Sequence, residues 1–112
     1  MKVVKAKNIT KKNFSKFGQL IDTSKKNPIS INDGYAKRFD DLINIDVSKD
    51  KGRAIISIFN AKKRSFPMKI DMMEKHPLGS QAFIPMEDTK FLVFVAPRGD
   101  KPDINKIQSF LV

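Results

Sequence analysis

Apolar and polar positions set the first expectations. Val3 and Val4 stand among lysines in an alternation suited to a short strand. The period then changes: Thr10 sits where an N-cap belongs, Phe14 and Phe17 follow three apart, and Gly18 supplies a stop. That pattern predicts a short helix lying on a core. Leu20 and Ile21 open an extended piece, and residues 24–28 have the polar composition of a loop. Residues 29–32 form a short strand candidate, closed by a turn at Asp33 and Gly34.

The second half reads as a series of strands. Residues 54–59 are rich in isoleucine and follow a tight polar turn over residues 48–52, which makes them a strand by β-branched content. Phe66, Met68, Ile70 and Met72 alternate with Pro67, Lys69 and Asp71, the period of a strand with one buried face, and Pro67 pushes its start towards an edge. Residues 82–84 give another short strand. The unbroken apolar run over residues 91–96 predicts a strand buried on both sides, ended by Pro97 and Gly99. Many short strands joined by turns point to a mainly β sandwich or barrel.

Length confines this to one domain over residues 1–112, since a chain of 112 residues with 40% apolar content buries a single modest core. No stretch approaches a membrane span and the N-terminus lacks a signal-peptide pattern, so the expectation is a cytoplasmic protein without membrane contact. The absence of cysteine excludes disulfides, thiolate zinc sites and thiol nucleophiles. A net charge of +10 raises the question of nucleic acid, because Lys2, Lys5, Lys7, Lys11, Lys12, Lys16, Lys25 and Lys26 face only Asp22 as an early acid. Lysine dominates over arginine, and no zinc-finger, RNP or helix-turn-helix pattern accompanies the charge. A solvated lysine-rich surface is therefore expected, with no nucleic-acid partner.

Chemistry concentrates around the sole histidine. Glu74 and His76 lie two apart, so on an extended backbone both side chains take the same face. A turn through Pro77 and Gly79 would let Gln81 return to the same place. A carboxylate, an imidazole and an amide oxygen suit a borderline divalent ion with open positions. Equally, they suit a metal-free acid/base pair, since imidazole titrates near neutral pH and Glu74 could orient it or act as base. A structural histidine ahead of a proline turn is the third reading of the same residues.

The wider block narrows these alternatives. Glu74, Lys75, His76, Pro77, Leu78, Gly79, Ser80, Gln81, Ala82, Phe83, Ile84 and Pro85 follow one another without a gap, and Phe91, Leu92, Val93, Phe94, Val95, Ala96 and Pro97 come next. Upstream stand Ile31, Asn32, Gly34, Arg38, Phe39, Asp40, Asp41 and Leu42, preceded by Lys12, Phe14, Phe17 and Gly18. This series resembles the ureidoglycolate lyases, in order and through nearly the whole chain. The spacing Glu-x-His-x4-Gln is similar to a first cupin motif with two substitutions. One departure is that the family's histidine after the Arg-Phe pair is Asp40 here. Another is that family members continue past the position of Ser109, Phe110 and Leu111 into a Gly-rich loop and a Trp-His motif, so this chain is expected to be a C-terminally truncated form.

The resemblance implies a cupin-like double-stranded β-helix or jelly-roll barrel, incomplete here, with a short N-terminal helix. It implies cleavage of (S)-ureidoglycolate to glyoxylate and urea in the use of purine nitrogen through allantoin. On that reading His76 and Glu74 are catalytic, and Arg38, Gln81, Ser80 and Asn32 bind substrate. Arg38 would anchor the carboxylate through its planar guanidinium, with a surface ion pair to Asp40 or Asp41 as its alternative role. His76, Glu74 and Gln81 are the candidate ligands of a divalent ion, nickel by resemblance, and no organic cofactor is expected. A homodimer is implied, and open strand edges would favour pairing with another copy. A catalytically inactive, truncated cupin that only binds a small molecule is the rival expectation.

Overall fold

A computed structural model describes residues 2–112. They form two units, one running up to Asn44 and resuming over Pro85–Val112, the other comprising Ile45–Ile84.

In the first unit, regular structure is mainly β. It contains β1 (Ala6–Asn8), α1 (Lys11–Phe14), β2 (Ile29–Ile31), β3 (Ala36–Arg38), β4 (Leu92–Val95) and β5 (Gln108–Leu111). β5 lies at the centre of a three-stranded sheet, parallel to β1 and antiparallel to β4. Phe110 stands opposite Lys7 on one side and Val93 on the other. Both edges of β5 are thus paired, and its Phe110 is fully buried and Ser109 nearly so. Residues 91–96 are half-buried rather than enclosed on both sides as their composition predicts, and among the described residues β4 pairs with β5 alone.

The core is aromatic and joins the two ends of the chain. Phe14 meets Phe110 edge-on at 5.2 Å between ring centroids, and Phe17 meets it at 6.0 Å. Such pairs contribute roughly 0.5–1.5 kcal/mol each beyond the area they bury. The helix that ends on Phe14 is a single turn, too short to persist alone, and its start is held from the side chains. Thr10 Oγ1 accepts from the Asn13 backbone N–H at 3.0 Å while Asn13 Oδ1 accepts from the Thr10 N–H at 2.8 Å, a reciprocal cap. Asn13 also donates to the Asn8 carbonyl at 2.9 Å, tying helix to strand. After the turn, the Gly18 N–H donates to the Phe14 carbonyl at 3.1 Å. A Cβ at Gly18 would lie 3.1 Å from the Phe14 ring, so a larger residue would press on the core.

β2 and β3 make a separate antiparallel hairpin in register Ile29 to Arg38 and Ile31 to Ala36. The turn between them passes through left-handed backbone at Asn32 (φ 53°), Asp33 (φ 56°) and Gly34 (φ 85°). Asn, Asp and Gly are the residues that adopt this conformation at least cost, as the turn expected at Asp33 and Gly34 required.

The Ile45–Ile84 unit differs. Its one regular element among the described residues is the 3-10 turn Lys49–Lys51. The strands predicted over residues 54–59, 66–72 and 82–84 are not formed, and Ile55, Ile56, Phe59, Met72 and Phe83 are exposed. An alternating or β-branched run states which face of a strand would be buried, but a strand exists only when a neighbour completes its ladder. Among the described residues no closed barrel is formed, and no helix is long and apolar enough to cross a membrane.

Candidate active site

The residues with chemistry fall in both units. Within Ile45–Ile84, the i, i+2 spacing brings Glu74 and His76 together: Nε2 of His76 lies 3.4 Å from Oε2 of Glu74. The side chains are 46% and 72% exposed, so the pair is held by proximity rather than by a closed pocket. The chain bends at Pro77 and Leu78, and Ser80 and Gln81 follow, exposed and outside any strand. No hydrogen bond or ion pair among the described residues joins Gln81 to the imidazole or the carboxylate.

A divalent-ion site gathers three or more donors. Among the described residues no group of three or more histidine, aspartate and glutamate side chains converges in that way. Glu74 and His76 supply two donors, turned towards each other.

In the other unit, Arg38 ends β3, where its Nη2 lies 2.6 Å from Oδ1 of Asp40. The residue at position 40 therefore has a definite local effect. The carboxylate of Asp40 occupies the guanidinium that was expected to hold a substrate carboxylate. Asn32 opens the hairpin turn, exposed and in left-handed backbone.

Two surface depressions of the first unit, of about 440 and 450 Å³, are lined by none of the six candidate residues. The first brings Lys16 and Lys106 to one rim. Local sequence motifs could not have indicated this, because the two lysines are far apart in sequence and line one depression only through the fold of the first unit. The carboxylates held below their usual range also lie elsewhere. Asp22 is lowered chiefly by its hydrogen bond to the Lys11 ammonium, 3.1 Å away, and Asp46 by the hydroxyl and backbone N–H of Ser48.

Known proteins place this arrangement. A family model described as ureidoglycolate lyase matches residues 1–112. A protein named ureidoglycolate lyase from Pseudomonas aeruginosa (strain UCBPP-PA14) is 42% identical over 111 residues, covering 99% of this chain and 66% of that protein. One of the same name from Burkholderia mallei (strain NCTC 10229) is 41% identical over 111 residues, with 99% and 65% covered. A third, from Pseudomonas putida (strain GB-1), is 39% identical over 110 residues, with 98% and 66% covered. The chain thus spans just under two thirds of the length of these curated relatives. With a match that runs from its first residue to its last, the chain belongs to the ureidoglycolate lyase family.

Proposed function

We propose that this protein takes part in the cleavage of (S)-ureidoglycolate to glyoxylate and urea, a step in the use of purine nitrogen through allantoin. The observation that carries the reading is the family match over residues 1–112. The contact between Glu74 and His76 adds the chemical rationale.

The reaction converts a carbinol to an aldehyde. The hydroxyl proton leaves, its oxygen forms the new carbonyl, and the C–N bond breaks with its electron pair passing to the urea nitrogen, which is protonated. One imidazole can accept the first proton and return the second. Nε2 faces Glu74 at 3.4 Å. Nδ1 is then the ring nitrogen that meets the substrate, and the Glu74 carboxylate stabilises the imidazolium formed in between. Ser80 and Gln81, in the same unit as His76, offer hydroxyl and amide groups to the ureido end. The proton transfers are assigned to His76 and Glu74, and a divalent ion, where bound, would be held by His76, Glu74 and Gln81. A cupin-like barrel, a homodimer and a cytoplasmic setting complete the reading.

The test is glyoxylate release from ureidoglycolate. His76→Ala should lower kcat/KM by about 10²–10⁴, the usual contribution of a general acid or base. Turnover equal to that of the parent protein would remove His76 from the mechanism. The 46% exposure of His76 supports a second reading, a module that binds without catalysis, since acid/base sites gain from excluding water. Such a module binds glyoxylate or ureidoglycolate in calorimetry and produces no urea.

A further inference from the structure

We propose that the depression beside β5 in the first unit binds a small organic phosphate of mononucleotide size. Its volume of about 440 Å³ falls in the range of small-molecule sites. The lining divides by chemistry. Phe17, Pro97 and Ile107 provide an apolar floor, while Lys16, Lys106 and Gln108 bring two ammonium groups and an amide, and no acidic residue lines it.

Neighbouring contacts prepare this surface for an anion. Lys7 Nζ donates to Oε1 of Gln108 at 3.0 Å, which adds a third positive charge next to the rim. With its oxygen taken, Gln108 has its NH₂ group to give, so this amide meets a ligand as a donor. Asp103, close in sequence to the wall, is engaged elsewhere: its carboxylate accepts from the Asn105 backbone N–H at 3.0 Å and caps the 3-10 turn Ile104–Lys106. Phe17 is held in place by its ring contacts with Phe14 and Phe110, so the floor is fixed by the core.

Clustered ammonium groups recognise phosphate or carboxylate oxygens. An apolar floor beneath them adds affinity only for a ligand that also carries a flat, apolar body. A nucleoside monophosphate combines the two, whereas inorganic phosphate leaves the floor uncovered and a nucleoside leaves the lysines unpaired. An extended nucleic-acid backbone is the competing occupant, and the length dependence of binding separates it from the proposal.

The experiment is titration calorimetry of the full chain at low ionic strength with AMP, adenosine, inorganic phosphate and single-stranded oligonucleotides of increasing length. AMP should bind at least about tenfold tighter than adenosine or inorganic phosphate, the factor expected when a hydrogen bond to a charged group is lost. Lys16→Gln and Lys106→Gln should each weaken AMP binding by about 3- to 10-fold, and the double variant by more. Lys12→Gln, exposed on α1 and outside the lining, should leave it unchanged. Unaltered AMP affinity in the Lys16→Gln, Lys106→Gln double variant would overturn the proposal. So would oligonucleotide affinity that rises steadily with length and is lost in parallel with AMP binding, which would assign the lysines to a nucleic-acid surface. The readout is equilibrium binding, so it stands apart from the lyase chemistry of His76 and Glu74.

Discussion

Phe110 and Ile56 are both large apolar residues in runs whose composition suits a strand, and their surroundings are opposite. Phe110 is 0% exposed and Ile56 is 97% exposed. The difference lies in what flanks each segment. β5 has a strand on either side and two phenylalanines from the α1 region on its face, whereas residues 54–59 join no ladder among the described residues. Hydrophobicity alone therefore does not decide where the core forms. Neighbours that satisfy backbone groups and cover side chains decide it.

This contrast predicts a graded response to substitution. The largest effect belongs to Phe110→Ala, which empties the centre of the aromatic cluster and should cost about 3–5 kcal/mol in urea unfolding. A loss under about 1 kcal/mol would mean that the first unit does not depend on this residue. Thr10→Ala removes one half of the reciprocal cap on α1 and should cost about 1 kcal/mol by the same measurement. Ile56→Ala should change stability by no more than about 0.5 kcal/mol, as expected of an exposed side chain. A cost comparable to that of Phe110→Ala would show that residues 54–59 are packed in solution, and the contrast would be lost.

The smallest effect is set by pH. The Lys11 ammonium holds the Asp22 carboxyl below its ordinary value, so the folded state keeps this group ionised more readily than the unfolded chain does. Its contribution is present above the unfolded carboxylate pKa and lost as pH falls through the lower folded value. Asp22→Asn should therefore be slightly less stable than the parent at neutral pH, with the gap closing in acid. Urea midpoints compared across that range would check the sign, and a gap that widens on acidification would contradict it.

How much of this could be read from the chain varies with the range of the interaction. The cap at Thr10, the Phe14 and Phe17 pair and the turn at Asp33 and Gly34 are local patterns, and each appears where its residues predict. The contact of Glu74 with His76 follows from spacing along an extended backbone and was legible for the same reason. Pairing partners are non-local, so the strands expected over residues 54–59 and 66–72 could not be tested by their own composition. The ion pair between Arg38 and Asp40 stood among the alternatives because the two residues are close in sequence. The meeting of Lys16 with Lys106 did not, since the two are far apart in sequence and line one depression only through the fold of the first unit.

The parallel pairing of β1 with β5 has a consequence for how the protein acquires its structure. Lys7 and Gln108, bonded across that junction, are 101 positions apart. The strand at the middle of the sheet is thus synthesised well after its parallel neighbour. Until residues 108–111 emerge, β1 and β4 have nothing between them and the rings of Phe14 and Phe17 have no third member to close on. Loop closure on this scale delays its reward until β5 is made, so nascent chains should remain protease-sensitive until residues 108–111 emerge and gain resistance from that point.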